Sequence, residues 1–173
     1  MFTDLNKVSI DVPGVLSFGS RPRGSEWLEK EISYWGKQGV EHLVCLLSPI
    51  EALQLGLRDE AFYATQNSIK FTNFEIKHMA IPSSIDNFLD LSLKLSQEIL
   101  NGRWVHIHGR SGIGRSGMLT CAILYFLGFC PPEAKKLTSE SRGLQIPDTE
   151  EQEQLIMNIE HLVEKWDRLI QLS

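Results

Sequence analysis

The chain has 173 residues, 42% hydrophobic and 23% charged, which is enough for a single domain, residues 1–173, with a sizeable core. Its net charge of −5 and pI near 5.5 oppose binding to nucleic acid or anionic membranes, so any anion site has to be local. No segment approaches the ~18 apolar residues of a membrane span. The opening MFTDLNKVSIDV also lacks a signal peptide's basic and apolar regions. Cys45 and Cys121 sit in apolar runs and read as core residues, Cys130 precedes Pro131-Pro132, and none has metal-site spacing. The expectation is a cytoplasmic protein with free thiols, no metal and no cofactor.

Taken in chain order, Val8–Val12 and Val15–Phe18 read as strands, and Gly19 to Gly24 as a loop. A helix is predicted from an N-cap at Ser25 to Trp35, closed by Gly36 and Gly39. The apolar run His42–Leu47 has strand length. Ser48-Pro49 then opens a helical region whose second part is Arg58–Asn67. Ile69–Ile76 alternates as a strand, and Ile85, Phe88, Leu89, Leu95 and Ile99 follow a helical period that ends at Gly102. Trp104–Ile107 is the last predicted strand. Helices follow from Gly114 to about Leu127, over Pro132–Arg142 and over Thr149–Ile170. Strands alternating with helices imply a mostly parallel central sheet covered by helices on both faces.

The chemistry gathers in His108-Gly109-Arg110-Ser111-Gly112-Ile113-Gly114-Arg115-Ser116-Gly117. A strand that feeds a glycine-rich loop into a helix aims backbone N–H groups and the positive end of the helix dipole at one point, which suits an anion. Two arginines interleaved with four glycines serve no packing purpose. The segment Gly112 to Gly117 matches the dinucleotide fingerprint GxGxxG, with Glu133 near the spacing of a ribose-binding acid. Gly109, Gly114, Arg115 and Ser116 approach the Walker A pattern, with arginine in place of the required lysine. Both of those folds need further strands, and only helices are predicted downstream.

The loop also resembles the signature of the cysteine-dependent protein phosphatases of the dual-specificity and tyrosine type. That signature reads His-Cys, five residues, Arg, then Ser or Thr. His108, Arg110, Gly112, Ile113, Gly114, Arg115 and Ser116 match it, and Gly109 stands where the cysteine belongs. Arg21-Pro-Arg23-Gly24, HLVCLLSP and IPDTEEQ extend the similarity over nearly the whole chain. The resemblance implies a protein-tyrosine-phosphatase-like α/β fold and a phosphate cradle formed by Arg110 to Ser116, with Arg115 as the clamp. In such phosphatases the thiolate attacks phosphorus, and an upstream aspartate protonates the leaving oxygen. Aligned on Pro82, His78 falls at the position of that acid, and Asp86 sits at a helix start.

Both catalytic positions, Gly109 and His78, are therefore degenerate while the cradle is retained. The expected function is that of a pseudophosphatase that recognises a phosphorylated protein or a small phosphorylated ligand. The alternative is a phosphatase inactivated by an engineered Cys-to-Gly change at position 109. A second unlike change, at His78, favours divergence. Short rim loops predict a wide, shallow cleft, with Arg21 and Arg23 beside it. Gln152 reads as a family glutamine position or a surface helix residue. His106 and His108 share a strand face, where a metal with His78 as third ligand is the lesser reading and hydrogen bonding behind the loop the greater.

Overall fold

The computed structural model describes residues 1–172. Its sheet has the order β1-β2-β5-β3-β4, with β1 Asn6–Lys7, β2 Val15–Gly19, β3 His42–Cys45, β4 Lys70–Asn73 and β5 Trp104–His108. The β2–β5, β5–β3 and β3–β4 pairings are parallel, and β1 pairs antiparallel with β2 at the edge. A 3₁₀ turn, Ser25–Trp27, precedes α1 (Leu28–Gln38). The further helices are α2 (Pro49–Gln54), α3 (Glu60–Gln66), α4 (Ile85–Leu100), α5 (Arg115–Phe126), α6 (Pro131–Arg142), α7 (Glu150–Met157) and α8 (Ile159–Gln171). Among the described residues, no helix is long and apolar enough to cross a membrane.

Period-two alternation divides the core. Leu16 and Phe18 of β2, Val44 of β3, and Val105 and Ile107 of β5 pack with α4 and α5. Leu43 and Cys45 of β3 and Trp104 of β5 face the other way, against Leu28, Ile32 and Trp35 of α1 and Ala64 of α3. His106 and His108 share that second face, with their rings 4.7 and 6.4 Å from Trp35. Helix α5 is buried from Arg115 to Leu124, so it is covered on all sides and forms the centre of the helical layer that carries the loop.

Several boundaries differ from the sequence reading. Val8–Val12 is not a strand; only Asn6–Lys7 pairs with β2, and Val8 keeps one bond, to the Leu16 carbonyl at 2.9 Å. Pro13 lacks an N–H, and Gly14 presses on the Ile99 and Arg103 carbonyls, so the chain bends into β2 instead of running beside it. Ser25 is not an N-cap: it has φ +53° and lies inside the 3₁₀ turn. Helix α1 passes through Gly36, and only Gly39, at φ +110°, ends it. Strand β3 stops at Cys45 because the chain turns into the Ser48 cap of α2. Strand β4 stops at Asn73, whose side-chain amide takes over bonding to the Cys45 and Leu47 carbonyls. The last predicted helix is two, divided at Asn158 (φ −99°, ψ 9°).

Trp35 is fully buried, and its indole N–H donates to the Thr3 carbonyl at 3.2 Å. Trp35→Ala is expected to cost about 3–5 kcal/mol, read as a shift in the urea midpoint at unchanged slope.

Candidate functional site

Strand β5 ends at His108, and residues 109–114 curve back before α5 starts at Arg115. The turn needs glycine at 112, which has φ +72° and lies so close to the Gly19–Ser20 backbone that a Cβ would overlap it. The outer rim is held from elsewhere in the chain. The Arg21 N–H donates to the Arg110 carbonyl at 3.2 Å. Arg142, a residue that sequence reasoning passed over, donates from Nε to Gly112 and from Nη2 to Ser111, each at 3.0 Å.

Arg115 is buried at the foot of this loop. Nη1 reaches both Glu51 oxygens, at 3.2 and 2.9 Å, and the Ile76 carbonyl at 2.9 Å, while Nη2 reaches Glu51 Oε1 at 3.2 Å. A guanidinium carries five N–H donors, so Nε–H and one Nη2–H have no protein partner and form a free fork. Glu51 is itself fixed by the capping box of α2, in which its N–H and the Ser48 N–H each bond to the other residue's side chain at 3.1 Å. Burial alone would raise the Glu51 carboxyl. The hydrogen bonds from Arg115 and Ser48, with the Arg115 charge, outweigh burial and hold it below the ordinary 4.5.

Behind the loop, His108 donates from Nδ1 to the Gly109 carbonyl at 3.0 Å and from Nε2 to buried Glu60 at 2.7 Å. Burial would lower this imidazole, but the Glu60 carboxylate and then Cys45 raise it well above 6.5. His106 is pushed the other way, by burial and then by the charge of His108. Its Nδ1 faces Ser17 Oγ at 2.9 Å, and Nε2 has no partner.

The structure brings His78, Gly109, Arg110, Ser111, Gly112, Ile113, Gly114, Arg115 and Ser116 to one cavity, which Met79, Asp148 and Gln152 complete. Its free volume is only about 10 Å³, close to the ~10–15 Å³ that one water requires. Beside it, an open depression of about 650 Å³ shares Ile113 and Asp148 with the loop cavity. Asp148 and Gln152 lie directly against Gly114, where a Cβ would overlap the Asp148 carboxylate. Gln152 is not a surface residue. It is fully buried, and its Nε2 donates to the Ala80 carbonyl at 3.1 Å.

Arg21 and Arg23 do not line this cavity. Arg23 bonds to Glu31 at 2.5 Å and stacks over Trp27, while Arg21 folds onto the Pro22 carbonyl. Nor do His78, His106 and His108 form a metal-ligand cluster among the described residues. Glu51 had a readable signal in the Ser48-Pro-Ile-Glu51 capping pattern and Asp148 in the IPDTEEQ segment, whereas Arg142 had none.

A Cβ built on Gly109 would meet nothing closer than Arg115 Cβ at 3.7 Å and Nε at 3.8 Å. The position accepts a side chain. Ser116, one residue beyond Arg115, also lines the cavity and has a buried hydroxyl without a partner.

No protein-family model matches the sequence, and no curated protein does. Solved structures do match in fold. A kinase-associated phosphatase whose catalytic-site cysteine is substituted by serine superposes with TM-score 0.87 and 16% identity, over 95% of this chain and 97% of that one. PTPMT1 in complex with PI(5)P gives 0.70 and 14%, over 87% and 92%. The human tyrosine phosphatase-like serine/threonine/tyrosine-interacting protein gives 0.66 and 18%, over 94% and 97%. The chain has the fold of the dual-specificity and tyrosine phosphatases.

The Glu51–Arg115 pair has a definite pH signature. A carboxyl held below 4.5 in the folded state adds stability above that ordinary value and loses it as pH falls through the lowered one. Urea unfolding of the wild type and of Glu51→Gln is expected to diverge above about pH 4.5 and to converge in more acidic solution. An unchanged difference across that range would show that the pair is not what Glu51 supplies.

Proposed function

We propose that this protein is a pseudophosphatase that captures a phosphomonoester on the loop 109–116 and does not hydrolyse it. One observation carries the reading. The loop cavity presents three donors without protein partners, Arg115 Nε–H, Arg115 Nη2–H and the Ser116 hydroxyl, at a place where Gly109 offers no nucleophile. A side-on guanidinium fork matches two oxygens of a phosphate, and the loop's backbone N–H groups with the α5 dipole add to it.

The missing thiolate favours binding. Two unit charges ~4 Å apart repel by a few kcal/mol at an effective dielectric near 20, and a phosphate over Gly109 escapes that term. Exposed Asp148, the sole carboxylate lining the cavity, acts in the opposite sense until it swings away. Asp148 turns aside as the anion settles, and part of the binding energy is spent on that movement.

His78 is exposed at the cavity rim, where an imidazole contributes a donor to the ligand's bridging oxygen and no attack on phosphorus. The room at Gly109 also suits an engineered Cys-to-Gly phosphatase, but that reading leaves His78 without an explanation. The ligand is a phosphorylated protein or a small phosphorylated molecule. The chain's net charge of −5 argues against nucleic acid and anionic membranes. Its three free cysteines suit the cytoplasm.

Calorimetry with inorganic phosphate tests the clamp. Arg115→Lys keeps a charge opposite Glu51 and loses the fork, and is expected to weaken phosphate binding by ~1.5–3 kcal/mol. Equal affinity in wild type and variant would remove the loop as the site. Hydrolysis of an aryl phosphate by the wild type is expected to match buffer. Gly109→Cys should fold normally and gain at most slight activity, which adding His78→Asp should raise. Robust wild-type turnover that depends on His78 would refute the pseudophosphatase reading.

A further inference from the structure

A second cluster lies on the opposite side of the sheet from α5. Cys45 of β3 and His108 of β5 are direct partners in the parallel register, so their side chains leave the same face. Glu60, the first residue of α3, reaches the same point. One ligand atom from each of these three residues lies within 4.8 Å of the others, and all three residues are buried. A cavity of about 530 Å³ reaches Cys45 and Glu60 from the surface between α2, α3 and β4, and Ala52, Leu57, Phe71 and Asn73 line it as well.

We propose that Cys45, Glu60 and His108 form a site for a thiophilic divalent cation of the zinc type, with the fourth coordination position open to this cavity. One thiolate, one imidazole and one carboxylate make a donor set that favours zinc or cobalt over magnesium or calcium. The thiolate and carboxylate together neutralise a dication in a buried place. The hydrogen bond from Nδ1–H to the Gly109 carbonyl leaves Nε2 to the metal, which is how protein imidazoles are usually oriented as ligands. Binding displaces the proton shared by Nε2 and Glu60 together with the thiol proton. Tetrahedral bonds of ~2.0–2.3 Å hold neighbouring donor atoms roughly 3.3 Å or more apart, so the Glu60 oxygen now 2.7 Å from Nε2 would move aside to admit the ion, a movement open to the Glu60 side chain because the cavity adjoins it. The open position takes a water or a small ligand. Through His108, the ion would also brace the Gly109 carbonyl at the back of the anion loop.

Cobalt(II) titration of the metal-free full chain under reducing conditions tests the site. The expected result is a thiolate-to-cobalt charge-transfer band that saturates at a single equivalent and disappears when zinc is added. The band should be absent in Cys45→Ser and retained in Cys130→Ser, which removes the exposed thiol. Glu60→Gln is expected to weaken cobalt at least about tenfold. Zinc should raise the melting temperature of the wild type and not that of Cys45→Ser, which also reports that the variant folds. Absence of the band in the wild type, its survival in Cys45→Ser or its loss only in Cys130→Ser would overturn the proposal. The trio would then be a hydrogen-bonded Glu60–His108 pair with a thiol packed beside it.

Discussion

The ion pair between Arg115 and Glu51 is the constraint around which the site is built. A cation in the first turn of a buried helix opposes the helix dipole and loses its hydration. Arg115 occupies that position at the start of α5. Glu51 and the Ile76 carbonyl compensate it from α2 and from the segment after β4, so three distant parts of the chain have to meet before α5 can begin. The pair also orients the guanidinium. With Nη1 and half of Nη2 held by Glu51, the remaining edge is directed at the space over Gly109.

That geometry separates binding from chemistry. The donors that would stabilise a phosphate belong to the loop backbone, Arg115 and Ser116, and none of them depends on a side chain at 109. A glycine at 109 therefore leaves every one of these donors in place. Asp148 and Gln152 lie against Gly114, and Gln152 is tied to Ala80, two residues after His78.

Local patterns in the sequence were legible because they depend on few residues. The alternation of β5, the helical period of Ile85 to Ile99 and the glycine-rich loop all appear where they were read. What escaped was set by contacts across long stretches of chain. Glu51 and Arg115 are 64 positions apart, and nothing near either one names the other. Cys45 reads as a core residue because its neighbours are apolar, and only the register of β3 with β5 places His108 opposite it. Val8–Val12 has strand composition, yet Pro13 and the crowded Gly14 leave it no partner beyond Val8. How little room the loop encloses depends on where Asp148 and Gln152 pack against Gly114, which loop length alone does not reveal.

Binding and turnover can be read together in one phosphorus NMR experiment. A phosphothreonine or phosphotyrosine peptide is added to the wild-type protein and the phosphomonoester resonance is followed over hours. A protein that captures the group without a nucleophile shifts or broadens that resonance while no orthophosphate signal grows. An orthophosphate signal that increases with protein concentration, or a phosphomonoester resonance unaffected at saturating protein, would contradict the account.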